Sequence, residues 1–365
     1  MIKPKVLFTD GEGPIVFKDL AADMTERVVP GFFKVLSFYD DYLAEIGREG
    51  YQAGDTLALV VPHFLAHGVT DEDITEEAKD AQVCKGVKEY VDGLKKDGWE
   101  IRIISTAYSQ MWELVGDYLG ISMDKIACTE LNLASLRKMF GTQEFYERVR
   151  QTEERVLAAL PLWEEAMVEV NDNDSPVVRV LESEKFAHLR EELDNLYWRD
   201  LPEQGYKTLE AVIVMGGRRK IDAAWQSARD LGVKISDIPY VGDSITDDAM
   251  HTYLAEEGGL PIAINGNAYA LRNAKVAVAT EDMRNLRPVL DAWQQGGFEG
   301  VQNFVRAYSE MTFPIAKERA PISEVTNQAY YDLINLANQE GFDKILATHK
   351  KFRILVCGAA TARLG

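Results

Sequence analysis

Along the chain, short apolar runs end abruptly in polar, glycine-bearing clusters, and the segments between them carry apolar residues at spacings of three and four. Val6-Leu7-Phe8-Thr9 stops at Asp10-Gly11-Glu12-Gly13-Pro14, Glu100-Ile101-Arg102-Ile103-Ile104 stops at Ser105-Thr106, and Ile238-Pro239-Tyr240-Val241 stops at Gly242-Asp243-Ser244-Ile245-Thr246-Asp247-Asp248. Short apolar runs bounded by turn residues predict buried strands, and their alternation with helical periodicity predicts a parallel α/β sheet. Further strands are expected around Ile126-Ala127-Cys128, at Pro261-Ile262-Ala263-Ile264 and at Val276-Ala277-Val278-Ala279. The last apolar run, Phe352-Arg353-Ile354-Leu355-Val356-Cys357, also reads as a strand.

The helical periodicity is concentrated in three places. From about Leu20 to Asp80 the stretch FFKVLSFYDDYLAEIG and then LALVVPHFLAHG predict a helical cap over 17–84, inserted after the first strand. From Leu136 to Glu203 the chain is dense in charge and helix formers, broken by the turn-rich NDNDSP, and predicts a second helical insertion over 136–203. Residues 288–365 predict a mostly helical extension, which leaves 1–16, 85–135 and 204–287 as the α/β core. No repeat of fixed period interrupts this plan.

Length and composition fit a multi-part globular chain. The 365 residues are 46% hydrophobic and 27% charged, which excludes a disordered or low-complexity protein. A net charge of −19 opposes binding to nucleic acid or to an anionic lipid surface, and an anionic substrate would need local positive charge or a metal ion. Cys84, Cys128 and Cys357 make neither a disulfide framework nor a thiolate zinc site, so a reducing compartment is expected. With neither a secretory h-region at the start nor an apolar stretch long enough to span a bilayer, the expectation is a cytoplasmic protein.

Three strand ends carry oxygen-bearing side chains: Asp10 and Glu12, Ser105 and Thr106, Asp243 and Asp247. Ligands of an open parallel sheet bind beyond the carboxyl ends of its strands, so clusters distant in sequence can meet at one site. Asp10, Asp243 and Asp247 offer the hard oxygen donors that Mg²⁺ prefers, and Lys220 could offset a carboxylate and a transferring phosphoryl group together. At the second strand, the end position favours Ser105 over Thr106.

In order and type these residues resemble the haloacid dehalogenase (HAD) superfamily of aspartate-nucleophile phosphotransferases. Asp10-Gly11-Glu12 stands at its first motif, Ser105 at the second, Lys220 at the third and Gly242-Asp243 through Asp247 at the fourth. The interval of 23 residues from Lys220 to Asp243, with Ala263-Ile264-Asn265-Gly266-Asn267 following, resembles the phosphoserine-phosphatase-like branch. Two departures stand out. Glu12 replaces the family's second aspartate, and the D-x-E-G-P-I form resembles archaeal HAD-type proteins, some linked to energy-converting hydrogenases. The 115 residues from Ser105 to Lys220 are also long for that branch. The resemblance implies a Rossmann-like core and a Mg²⁺-dependent phosphohydrolase acting on a small phosphorylated metabolite. By the same resemblance Asp10 is the nucleophile that forms an aspartyl-phosphate, Glu12 the acid/base, and Ser105 a phosphoryl-binding hydroxyl. Lys220 offsets charge, and Asp10, Glu12, Asp243 and Asp247 attend the metal, Glu12 through its main-chain carbonyl. The alternative is a catalytically weak or inactive HAD-fold protein that binds a ligand or an assembly partner, or a second copy of itself, through its helical additions.

Other features have plainer readings. His63 and His67, at i and i+4 in HFLAH, could share a metal but read better as packing residues of the cap, with substrate contact as the other option. Phe32, Phe33, Phe38, Tyr39 and Tyr42 read as a core stripe, Gly216-Gly217 as a turn before a helix rather than a phosphate cradle, and the charge run over 147–155 as a solvated helix face.

Overall fold

The architecture is set by where the apolar runs pair. The computed structural model describes residues 3–172, 175–180, 184–312 and 329–361. Its strands are β1 (Val6–Thr9), β2 (Glu100–Tyr108), β3 (Ile126–Thr129), β4 (Met167–Asp172), β5 (Ser175–Val180), β6 (Pro239–Gly242), β7 (Leu260–Ile264), β8 (Val276–Thr280) and β9 (Ala329–Leu333). Seven of them form one sheet in the order β3-β2-β1-β6-β7-β8-β9, parallel except for β9, which runs antiparallel to β8. Every residue of β1, β6, β7 and β8 is buried. This is why they read as unbroken apolar runs rather than alternating ones. The α/β Rossmann-like class expected from the sequence is the one found.

The sheet order puts the functional clusters side by side. Chain progression runs outward through β2 and β3 on one flank of β1 and through β6, β7 and β8 on the other, so β1 and β6 flank the switch point at which crevices form. Thr9 pairs with both Ile103 and Val241, which brings the ends of β1, β2 and β6 to one level. Beyond Ile104, β2 leaves regular register with β3: four steps to Tyr108 match two from Ala127 to Thr129. Such a bulge re-aims side chains, and it lies at Ser105, Thr106 and Ala107.

Between β1 and β2 run the helices Leu20–Val28, Phe32–Glu45, Thr56–Leu59, Val61–Ala66, Asp71–Ala78 and Val87–Lys96. Phe32, Phe33, Tyr39 and Tyr42 are buried and Phe38 packs partly buried against the same cluster, so the aromatic stripe is core. His63 and His67 are drawn to a carboxylate from the chain after β3. His63 Nδ1 lies 2.7 Å from Glu153 Oε1, His63 Nε2 lies 2.7 Å from the Tyr197 hydroxyl, and His67 Nε2 lies 2.8 Å from Glu153 Oε2. They therefore tie the two helical additions to each other. The charge run departs from a solvated face: Glu153 is 4% exposed and Arg148 pairs with Asp200.

Three expectations are corrected. The segment over 136–203 holds helices Leu133–Phe140, Gln143–Ala158 and Glu184–Asn195 but also the antiparallel pair β4 and β5, whose Val-rich strands take in Asn171, Asp172, Ser175 and Pro176 of NDNDSP, its other two residues lying outside the described residues. Strand β9 was not expected from the sequence. The run at 352–357 is not a strand but part of helix Gln339–Thr361; its core face is Phe342, Ile345, Thr348, His349 and Phe352, while Ile354 and Leu355 face outward. A short apolar run does not by itself separate a strand from a helix, and here the spacing of its buried partners upstream decides. Among the described residues no helix is long and apolar enough to cross a membrane.

The Glu153 cluster makes a pH-dependent contribution to stability. Burial alone would raise the Glu153 pKa, but hydrogen bonds and charge from His63 and His67 hold it down to about 2, against an ordinary 4.5. A depressed carboxylate stabilises the fold above its unfolded pKa, and that stabilisation is lost as pH falls toward the folded value. We expect Glu153→Gln to cost on the order of 2–3 kcal/mol at pH 6 and about half as much at pH 3, read by urea denaturation. An equal cost at both pH values would mean that the cluster is not held by charge.

Candidate active site

Asp10 leaves β1 with its N–H bonded to Val241 O at 2.7 Å, and the Gly11 N–H caps its Oδ1 at 2.6 Å. The other oxygen, Oδ2, meets Lys220 Nζ at 2.8 Å, and the same ammonium lies 2.7 Å from Asp247 Oδ1. Lys220 stands in the first turn of helix Arg218–Leu231 and is fully buried. Burial by itself would lower the lysine pKa, yet Asp10 and Asp247 raise it above the ordinary value, so the side chain is a permanent cation. The start of that helix is a turn, as expected: Gly217 has φ of +53°, and Arg219 reaches across to Asp55 at 2.6 Å.

Asp247 is committed to other groups. Its Oδ1 accepts from Lys220 and from the Tyr240 hydroxyl at 2.6 Å, and its Oδ2 accepts from the N–H groups of Asp243 at 2.9 Å and Ser244 at 3.2 Å. Four donors fill the lone pairs of a carboxylate. Burial would raise its pKa, but Lys220 above all, with help from Tyr240, holds it at about 2. Asp247 thus orients Lys220 and Asp243.

Oxygens of Asp10, Asp243 and Asp247 lie within 4.8 Å of one another, and all three residues are buried. Hard anionic oxygens this close suit a hard divalent cation, and with Asp247 filled, Asp10 and Asp243 are the residues able to hold it. Burial and the nearby Asp247 push Asp10 up against the pull of Lys220, and burial likewise pushes up Asp243 against the pull of Arg353. A metal ion binds the ionised carboxylates, so its binding here would displace the protons that burial favours. The donor set therefore fits Mg²⁺.

The loop between Asp10 and Pro14 has to be thin. A Cβ on Gly11 would stand 1.9 Å from the Trp112 ring and 2.8 Å from Ser105 Oγ; on Gly13, whose φ is +88°, it would stand 2.3 Å from Asp243 Cγ. Glu12, between these glycines, lines a cavity of about 130 Å³ bounded by the strand ends and by Phe17, Phe33 and Leu57 from the helical cap. Burial, then Asp19 and Asp10, push its carboxyl well above the ordinary range. Asp19 and Asp40, on the same wall, are pushed up to about 6, in each case chiefly by burial.

The second strand behaves differently from expectation. Ser105 is fully buried beside Gly11, and its Oγ accepts from the Ala107 N–H at 3.2 Å. The bulge turns Thr106 rather than Ser105 onto the cavity wall, and Thr106 Oγ1 is buried without a hydrogen-bond partner among the described residues. Arg353, from the C-terminal helix, also lines the cavity and bonds Asp243 at both its main-chain oxygen, 3.1 Å away, and its carboxylate. Nothing in the sequence singled out Arg353, because the segment read as a strand; Asp19 and Asp40 carry no motif and become visible only through the fold.

No family model and no curated protein matches the chain. Among solved structures, gene product AF1437 from Archaeoglobus fulgidus is similar over 100% of this chain and 99% of its own, with a TM-score of 0.72 and 24% identity. A substrate-bound phosphoserine phosphatase complex aligns over 79% of this chain and 98% of its own at a TM-score of 0.45 and 13% identity. A HAD family hydrolase from Salmonella enterica serovar Typhi aligns over 73% and 64% at a TM-score of 0.41 and 9% identity. The similarity to AF1437 over essentially the full length of both chains shows a shared α/β fold.

The Gly13 geometry yields a controlled test. Gly13→Ala places a Cβ in the left-handed region, at a cost of about 1–2 kcal/mol, and also against Asp243. Gly205→Ala, at φ of +86° with nothing within 4 Å, meets only the first cost. Thermal melting should show the Gly13 variant less stable than the Gly205 variant by at least about 1 kcal/mol; equal losses would mean that the loop does not press on Asp243.

Proposed function

We propose that this protein is a Mg²⁺-dependent phosphohydrolase that acts on a small phosphomonoester in the cytoplasm through an aspartyl-phosphate on Asp10. The observation that carries this reading is the pairing of Asp10 with the buried Lys220 ammonium at 2.8 Å, beside Asp243, at the switch point of the sheet. A carboxylate nucleophile needs a fixed orientation and a nearby cation to approach an anionic phosphoryl group. Gly11 N–H and Lys220 supply both.

In this mechanism an Asp10 oxygen attacks phosphorus while the bond to the leaving oxygen breaks, and Glu12 gives that oxygen its proton. A raised pKa suits Glu12 to hold the proton near neutrality. The ionised Glu12 then takes a proton from water, which attacks the phosphorus of the aspartyl-phosphate, releases phosphate and restores Asp10. A bound Mg²⁺ would neutralise charge on the phosphoryl oxygens, and Asp10, Asp243 and the Glu12 carbonyl are the groups proposed to hold it. Lys220 neutralises the charge shared by Asp10 and Asp247, and Asp247 fixes both Lys220 and Asp243. For the hydroxyl that meets the phosphoryl group, Ser105 was the expectation, and the exposure of Thr106 to the cavity supports Thr106 as its partner or replacement. The small cavity, partly covered by the cap residues Phe17, Phe33 and Leu57, supports a small substrate.

Asp10→Asn should lower Mg²⁺-dependent turnover of a small aryl phosphate by about 10³-fold or more, because no covalent intermediate can form. Glu12→Gln should lose about 10²-fold, while Glu12→Asp, which keeps a carboxyl group, should retain measurable turnover. Equal turnover in the wild type and the Asp10 variant sinks the mechanism. Absence of Mg²⁺-dependent turnover across a broad phosphomonoester panel would favour a ligand-binding or assembly role instead.

A further inference from the structure

The C-terminal helix Gln339–Thr361 lies outside the α/β core, yet it delivers a guanidinium to the centre of the site. Arg353 is 8% exposed, lines the same cavity as Asp10 and Glu12, and bonds the Asp243 carboxylate and main-chain oxygen. The helix that carries it is firmly seated. His349 Nδ1 accepts from the Gly266 N–H at 2.9 Å, Phe342 and Ile345 pack with Ala263, Ala270 and Ala277, and Phe352 packs on Ala279 of β8. Asp243 is further pinned by the Asn267 N–H on its carbonyl at 2.9 Å and by Asp247 on its own N–H. Removal of Arg353 would therefore change charge more than geometry.

The charge balance indicates what that guanidinium does. Within the cluster that would hold a cation, Asp10, Asp243 and Asp247 bring three negative charges and their partner Lys220 one positive charge, while Lys18, Asp19 and Asp40 line the cavity further out. A divalent cation would make that set neutral, with nothing left to attract a dianion. With Arg353 included, the cation-loaded cluster itself carries one net positive charge, complementary to a phosphoryl group placed against it, while the same guanidinium repels the cation when no anion is present. Like charges a few ångströms apart in a buried site repel strongly, and the repulsion is relieved when an anion enters between them.

We propose that Arg353 is an anion-binding residue of the phosphoryl site, supplied by the C-terminal helix, which weakens divalent-cation binding to the free protein and strengthens binding of a phosphoryl dianion to the cation-loaded protein. The inference rests on the functional reading above and adds to it a linkage: cation and anion each favour the other, and the coupling is reciprocal. The C-terminal extension thereby becomes part of the site.

The test compares the full-length wild type with Arg353→Gln and Arg353→Lys by calorimetry, with Mg²⁺ alone and then with inorganic phosphate at saturating Mg²⁺. Arg353→Gln should bind Mg²⁺ at least tenfold tighter and phosphate at least tenfold weaker, and Arg353→Lys should keep most of both wild-type values. Opposite signs are the signature, since a merely structural role would weaken both ligands together. Weakening of both, or no change in either, overturns the proposal. Melting curves of each variant identify loss of fold, and if Arg353→Gln does not fold, the same pair of titrations on Arg353→Lys decides by whether it retains wild-type values. A wild type that binds neither Mg²⁺ nor phosphate counts against the functional reading itself, whereas a wild type that binds both, with Arg353→Gln unchanged, counts against Arg353 alone.

Discussion

The buried ammonium of Lys220, held between Asp10 and Asp247, is the interaction on which the rest of the site depends. An unpaired charge in that environment would cost several kcal/mol, so lysine and carboxylates are tolerable only together. Each of the three comes from a different element: the end of β1, the turn after β6, and a helix start that must dip toward both. Their pairing thus fixes the relative positions of β1, β6 and the helix at 218–231, and it also sets the direction in which Asp10 points. Replacement by apolar residues of similar volume would be neutral or stabilising for many buried ion pairs, so stability alone does not account for this one.

From that triad the constraints spread outward. Asp247 has no free acceptor capacity because Tyr240 and the N–H groups of Asp243 and Ser244 take what Lys220 leaves. Asp243 is consequently held with its carboxylate toward the Gly11 to Gly13 loop, and that loop passes only because a Cβ is missing at both glycines. Glu12 rides on the same loop. A glutamate reaches further than an aspartate by about one methylene, roughly 1.5 Å, and the tight loop sets the base from which it reaches.

Much of this was legible in the sequence, and the reason is local. Buried parallel strands must be apolar along their whole length, so β1, β6, β7 and β8 stand out, and the residues after them fall at one edge of the sheet by topology. Asp10, Lys220, Asp243 and Asp247 were therefore identifiable and do come together. What was not legible depends on registry or on long-range packing. The bulge in β2 that exposes Thr106 arises from pairing with β3, which no local pattern records. Glu153 looked like one more charge on a helix face until His63 and His67 were found against it, 90 and 86 residues away. Arg353 sat in an apolar run whose helical identity rests on residues that precede it.

The acidity of the chain takes on a different meaning in this light. A net charge of −19 suggested a protein that repels anions, yet the phosphomonoester proposed as its substrate is an anion. The two are compatible only if the field at the site is set locally, inside walls where distant surface charges are screened by solvent. Phe17, Phe33 and Leu57 supply such walls, Lys18 and Arg353 line the cavity, and Lys220 and Arg353 are the cations paired with Asp10 and Asp243. Lys220 comes from the core and Arg353 from an added helix, so the field at the Asp10–Asp243 cluster is set jointly by the sheet and by the accessory segment that reaches its edge. Length beyond the core is therefore not only a cover for the site; it brings a guanidinium against Asp243.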